Sequence, residues 1–206
     1  MSVVGVLLAG GLSRRMGGGD KNQLDLGSRP ILDHVIERTK PQVDTLILNA
    51  NGDPARFDGY GLPVVADVID GYAGPLAGIL TGMEWVVEHV PDAKWLASFP
   101  TDAPFLPCDL VVKLCAAIAA EDADMACAMS QGRTHPPIAV WPVELHRNLR
   151  QAMVDEDMRK IDRWTARYKV IHVPFDDPDM DPFFNINRAE NLKEAERHLA
   201  GLRGAA

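Results

Sequence analysis

The sequence predicts a three-layer α/β fold with a mostly parallel sheet. Short apolar runs of strand length alternate with apolar stripes of helical spacing along nearly the whole chain. A glycine-rich stretch directly follows the first run, as it does where a buried strand ends at a ligand-facing edge. No proline-, glycine- or serine-rich linker divides the 206 residues, so 1–206 is expected to be one domain with a sizeable core.

The elements follow in order. Val3 to Leu8 reads as a buried strand. Pro30 opens a helix carrying Ile31, Leu32, Val35 and Ile36, with proline well placed in the first turn, and Pro41 closes it. Thr45 to Leu48 reads as a second strand, ending at Asn49-Ala50-Asn51-Gly52, and Val64 to Ala66 as a third, ending at Asp67. Gly74-Pro75 starts a helix with Leu76, Ile79, Leu80, Met83 and Val87 on its apolar face. Trp95 to Ser98 is a strand running into the turn Pro100-Thr101-Asp102-Ala103-Pro104. Leu110, Val111, Leu114, Cys115 and Ile118 mark a further helix, on which Cys108 and Cys115 are expected as buried thiols.

Met125 to Ala128 and Ile138 to Trp141 are strands joined by a loop holding His135-Pro136-Pro137. A short helix bears Leu145 and Leu149, and Lys169 to Val173 is a late strand. The acidic run Asp176 to Pro182 reads as a solvated loop. Asn187, with Glu190 three residues on, reads as the cap of a final helix buried through Leu192, Ala195, Leu199 and Leu202.

The stretch LAGGLSRRMGGGDK, Leu8 to Lys21, has a phosphate-handling composition. Glycines let backbone N–H groups approach an anion, while Arg14, Arg15 and Lys21 add charge. It is neither a Walker loop, since Asn22 follows Lys21 where a hydroxyl is needed, nor a dinucleotide fingerprint, since the first two glycines are adjacent. Gly10, Asn49 and Asp67 end successive strands, where an open parallel sheet binds ligands. The N–H groups freed at Gly74-Pro75 suit an anion or a base edge, and equally a plain helix start. Asp102, on a rigid turn between prolines, suits a hard cation such as Mg²⁺, and equally a cap.

A net charge of −8 opposes a general nucleic-acid or anionic-membrane surface, yet not a small anionic ligand captured by local cations. The three cysteines have no CxxC spacing and suggest neither a disulfide framework nor a zinc site. No charged leader or membrane-length apolar run is visible, and a cytoplasmic location is expected.

Taken together, LAGG-x-x-x-RMGG-x-DK, the NAN turn at Asn49 to Asn51, Asp67, GPLAG at Gly74 to Gly78, the turn Asp102 to Pro104, His135-Pro136 and FFNIN at Phe183 to Asn187 resemble the molybdenum cofactor guanylyltransferases of the MobA type. That resemblance implies a Rossmann-like nucleotidyltransferase fold and transfer of GMP from GTP to Mo-molybdopterin, with Mg²⁺. It implies that Leu8, Ala9 and Gly10 hold guanine and ribose through their backbone. Arg15 and Lys21 would act on the triphosphate as catalytic cations, and Asn49 and Asp67 would contact GTP. Gly78 would lie near the base, and Asp102 would bind both metal and nucleotide. His135, Asn185 and Asn187 would face the pterin. The resemblance leaves room for transient contact with other cofactor-biosynthesis proteins or apo-molybdoenzymes. The cytidylyl branch tends to carry Ala-Ala-Gly where this chain has Ala9-Gly10-Gly11 and lacks GPLAG, so guanine is the expected base.

Overall fold

A computed structural model describes residues 2–9, 24–71 and 74–204, with side chains to residue 201. Its centre is a seven-stranded sheet in the order β5-β4-β1-β6-β8-β7-β9. The strands are β1 (Val3–Leu8), β4 (Thr45–Asn49), β5 (Val64–Val65), β6 (Trp95–Pro100), β7 (Met125–Ser130), β8 (Arg133–Pro142) and β9 (Val170–Pro174). The β1·β4, β1·β6, β4·β5 and β7·β9 pairs are parallel, and β8 alone runs antiparallel, to both β6 and β7. A small hairpin, β2 (Asp25–Leu26) with β3 (Arg29–Pro30), lies outside the main sheet.

Because central strands are covered on both faces, they carry apolar residues at consecutive positions and sort them by parity. Val3 and Leu7 of β1, Leu46 and Leu48 of β4, and Ala97 and Phe99 of β6 enter one core with α1 (Ile31–Thr39), α3 (Leu110–Glu121) and α6 (Ala189–Gly204). Val4, Val6, Ile47 and Leu96 enter the opposite core with α2 (Pro75–His89), α4 (His146–Asp155) and α5 (Ile161–Thr165). This is the three-layer α/β arrangement the sequence predicts. The chain winds from β1 through α1 to β4 and β5, then returns through α2 to β6 on the other side of β1. Winding therefore reverses between β1 and β6, the position where open α/β sheets hold ligands at the carboxyl ends of their strands.

Several expectations are corrected. Pro30 ends β3 and precedes α1 rather than lying inside its first turn. Val87 is 44% exposed while Val86 is buried, so the apolar face of α2 is rotated by one residue from the expected stripe. Cys108 precedes α3 and is exposed, Cys115 is half-buried, and only Cys127 among the three is fully inside. Helix α5 contributes two core residues, Ile161 and Trp164. Trp164 is fully buried against Trp141, with ring centroids 6.2 Å apart, and its Nε1–H donates to Asn148 Oδ1 at 3.1 Å.

The His135-Pro136-Pro137 stretch, expected as a loop, belongs to β8. Its register against β7 jumps from Met129↔Thr134 to Cys127↔Ala139, so residues 135–138 bulge opposite Ala128. Ser98, fully buried on β6, holds this bulge by donating to Pro137 O at 2.7 Å while accepting from Trp141 Nε1–H at 2.8 Å. No helix among the described residues is long and apolar enough to cross a membrane.

Ser98→Ala leaves the Trp141 N–H and the Pro137 carbonyl buried without this partner and is expected to cost ~1–3 kcal/mol in urea denaturation. Burial pushes the Cys127 thiol up to about 11, so it stays un-ionised at pH 8. Mass-spectrometric mapping of iodoacetamide labelling on the native protein is expected to find Cys108 modified first and Cys127 last.

Candidate active site

The carboxyl edge of the sheet gathers the predicted residues that lie in the described part of the chain. β1 ends at Leu8, and the Ala9 N–H donates to Asn49 O at 2.9 Å, tying the ends of β1 and β4 together. Asn49, 2% exposed, donates from Nδ2 to Asp67 Oδ1 at 2.9 Å and to Val65 O at 3.2 Å. A carboxylate only accepts, so the amide of Asn49 has one orientation, and its Oδ1 is turned away from Asp67. Asn51 closes the other side. Its Nδ2 donates to Asp67 Oδ2 at 2.7 Å, and its Oδ1 accepts the Asp67 N–H at 2.9 Å. Both oxygens of Asp67 are thus held by carboxamides, which fixes a negative group at the mouth of β4 and β5.

Helix α2 points its N-terminus at the same edge. Gly74 precedes it at φ +76°, where only glycine is unstrained, and Pro75 takes the first helical position. Gly74 gives no side-chain cap and the first turn has no acidic residue, so among the described residues of the helix itself no side chain offsets the dipole at this end. Thr81, fully buried, braces the approach: its Oγ1 accepts the Val68 N–H at 3.0 Å and donates to Ala77 O at 2.8 Å. At Gly78 the helix touches the strands so closely that a Cβ would sit 2.4 Å from Asn49 Oδ1 and 2.7 Å from Leu8 Cδ2.

The Asp102 turn follows β6. Thr101 Oγ1 donates to Leu8 O at 3.3 Å across the β1–β6 crevice, and Asp102 itself is half-buried. The Ile186 N–H donates to Asp102 O at 2.9 Å, bringing the late FFNIN segment to the turn. Ile186 is fully buried while Asn185 and Asn187 on either side are exposed, so the isoleucine anchors the segment and leaves its two carboxamides outside. Helix α6 begins at Ala189, and the Asn187 N–H is accepted by Asn191 Oδ1 at 3.3 Å. Asn187 thus stands at the start of this helix, where the sequence expects it.

His135 lies at the start of antiparallel β8 and therefore beyond the carboxyl end of β6, on the edge that holds Asp102. Its Nε2 is 2.7 Å from Ser130 Oγ, which donates to Asp181 Oδ1 at 2.7 Å, and its ring rests on Phe183 with centroids 4.7 Å apart. Burial lowers the His135 pKa from its ordinary value; Asp181 opposes the shift and Arg133 adds to it. Asp181 is thus a structural acceptor, also taking the Phe183 N–H at 2.9 Å, and not part of a solvated acidic loop. Sequence reasoning passed over Asn51, Ser130 and Asp181 as site-supporting residues. For Asn51 the i, i+2 repetition of Asn at a strand end was the available signal.

Gly10, Arg15 and Lys21 lie outside the described residues, as does the rest of the glycine-rich stretch through Asn22. A family profile described as "MobA-like NTP transferase domain" matches residues 5–170. The chain belongs to this family. Among its relatives, a molybdenum cofactor guanylyltransferase from Bradyrhizobium sp. (strain ORS 278) is 58% identical over 199 residues, covering 97% of this chain and 94% of the relative. A molybdopterin-guanine dinucleotide biosynthesis protein A from Archaeoglobus fulgidus shares the fold at TM-score 0.75 and 21% identity, with 96% of this chain and 99% of that one covered. A protein from Mycobacterium tuberculosis H37Rv, solved in complex with manganese, shares it at TM-score 0.69 and 15% identity, with 96% and 99% covered.

Among the described glycines of this MobA-like nucleotidyltransferase, Gly78 has the least room for a side chain. Gly78→Ala must push Asn49 or Leu8 aside at a cost of ~1–3 kcal/mol. Calorimetric titration is expected to find GTP affinity reduced about tenfold. Gly201→Ala, where a Cβ meets nothing within 4 Å, is expected to leave that affinity unchanged.

Proposed function

We propose that this chain transfers GMP from GTP to the terminal phosphate of Mo-molybdopterin, forming the guanine dinucleotide cofactor and releasing pyrophosphate. The observation that carries the reading is the convergence, at the winding reversal between β1 and β6, of the Asn49–Asp67 pair, the uncapped start of α2 and the Asp102 turn. The high identity to named guanylyltransferases supports guanine and the pterin acceptor.

In this reading the backbone of Leu8, Ala9 and Gly10 holds guanine and ribose, with Gly78 close to the base. Asn49 and Asp67 contact GTP from the β4–β5 side. Arg15 and Lys21 draw the triphosphate in and absorb charge on the departing pyrophosphate. His135, Asn185 and Asn187 receive the pterin end of the acceptor. The acceptor phosphate is already anionic at neutral pH, so an oxygen of it attacks the α-phosphorus directly. A new P–O bond forms there as the bond to the β-phosphate oxygen breaks, and pyrophosphate carries away the electron pair. Bringing two anions together in line is the main barrier, and positioning with electrostatic stabilisation lowers it.

The donor set around Asp102 fits a metal that arrives with its nucleotide. Asp102 offers one carboxylate on a turn braced by Thr101 and Ile186, and no group of three or more His, Cys, Asp or Glu among the described residues could hold an ion by itself. Mg²⁺ takes one or two carboxylates together with substrate phosphates and keeps several waters. Bound at Asp102, it would supply charge neutralisation along the phosphate chain.

Incubation with Mg²⁺, Mo-molybdopterin and either GTP or CTP, followed by pyrophosphate and dinucleotide analysis, tests the reading. Product is expected with GTP alone; product with CTP would overturn the base assignment. Asp102→Asn, which keeps the size of the side chain and removes its charge, is expected to lower kcat/KM by on the order of 10²-fold or more. An unchanged kcat/KM would remove Asp102 from the reaction.

A further inference from the structure

The His135–Ser130–Asp181 chain has a direction. A serine hydroxyl carries one proton and a carboxylate oxygen accepts, so at 2.7 Å Ser130 Oγ gives its proton to Asp181 Oδ1. The hydroxyl then has only lone pairs to offer His135 Nε2, also 2.7 Å away, and that contact is a hydrogen bond only if Nε2 carries the proton. In the neutral ring this leaves Nδ1 as the acceptor.

The surroundings hold the arrangement. Ser130 is 1% exposed, Asp181 Oδ1 is fixed by the Phe183 N–H at 2.9 Å, and the imidazole rests on Phe183, itself 2% exposed and packed on Phe175. The bulge of β8 that displays His135 is pinned separately by the bond from Ser98 to Pro137 O. Burial favours the neutral ring, the charge of Asp181 opposes it, and the charge of Arg133 reinforces it.

We propose that Ser130 and Asp181 are positioning residues that lock His135 as its Nε2–H form, so that Nδ1 accepts from an N–H donor of the acceptor substrate instead of pairing with its phosphate. A pterin ring, with its amino group and ring N–H, supplies donors of that kind. The proposal rests on the reading that His135 faces the acceptor.

Two measurements separate the parts. Long-range ¹H–¹⁵N spectra of the full-length protein without substrate, with His135 assigned by its loss in His135→Asn, are expected to show the Nε2–H pattern. Ser130→Ala and Asp181→Asn are expected to mix or reverse it. An Nδ1–H pattern in the unmodified protein, or one unmoved by both variants, overturns the lock. In kinetics, Ser130→Ala and Asp181→Asn are expected to raise the KM for Mo-molybdopterin roughly three- to tenfold, the size of one hydrogen bond, with the KM for GTP unchanged.

His135→Asn, whose amide falls near the Nδ1 position, is expected to keep a lower acceptor KM than His135→Gln, whose amide falls near Nε2. Equal acceptor KM values for all of these variants and the unmodified protein would overturn the substrate half while leaving the tautomer result intact. Failure of the unmodified protein to form any dinucleotide would instead strike the reading on which the proposal rests.

Discussion

Much of this structure depends on how closely α2 approaches the ends of β1 and β4. The helix is the return crossover that carries the chain from β5 to β6, and its packing places β6 beside β1. Gly82 lets it seat on Leu96 and Val6, where a Cβ would come within 2.9 Å of Leu96 Cδ2. Gly78 does the same one turn earlier against Asn49 and Leu8. With larger residues the helix would ride higher, its N-terminus would lift from the sheet edge, and the crevice at the winding reversal would open. The packing that stabilises the core therefore also sets the depth of the site.

From that contact the polar arrangement follows. Asn49 is buried and needs partners, and Val65 O and Asp67 supply them, which in turn draws the post-β5 segment over the edge. Thr81 then ties that segment back to α2 through the Val68 N–H. Strand ends, helix and carboxylate are thus linked by a chain of hydrogen bonds, completed by the steric contact of Gly78 with Asn49. A second set ties β6 to the late chain through Asp102 O and Ile186, and β7 and β8 to it through Ser130, His135 and Asp181. The two sets meet across the β1–β6 crevice at the bond from Thr101 to Leu8 O.

The elements legible in the sequence are those whose signal is local. Val3 to Leu8, Thr45 to Leu48 and Trp95 to Ser98 are continuous apolar runs, and the polar residues that follow them stand out in the chain, so Asn49 and Asp102 are recognisable as strand-end residues from local pattern alone. What was not legible depends on distant partners or on direction. Asn51 and Asp67 are 16 residues apart, and Ser130 and Asp181 are 51 apart, so neither pair is marked by spacing. Apolar periodicity also says nothing of strand direction, which is why the antiparallel course of β8, and with it the placement of His135 beyond the end of β6, had to come from pairing. Val87 and Val86 are equally apolar, and only the crossing of α2 over the sheet decides which one is buried.

Besides carboxylates, carboxamides and backbone N–H groups, the described edge holds Arg56, which donates to Asn51 O, and Arg133, two residues from a histidine that burial favours as neutral, while Arg14, Arg15 and Lys21 all lie in the glycine-rich stretch after β1. A protein of net charge −8 that is to hold two anionic substrates gains from such a local concentration of cations. Beyond a Debye length of about 8 Å at physiological salt, the global negative charge is largely screened, so capture depends on cations placed within contact range. In the proposed reaction, fixed dipoles at the edge would orient what those cations attract, with no reorganisation as charge moves from the α-phosphorus to the leaving group. Under the roles proposed for these residues, a cation at the position of His135 would compete for phosphate with Arg15 and Lys21 and would hold the acceptor by its wrong end. A neutral acceptor nitrogen there would instead discriminate between the two ends of the same molecule and leave the phosphate free to reach the nucleotide.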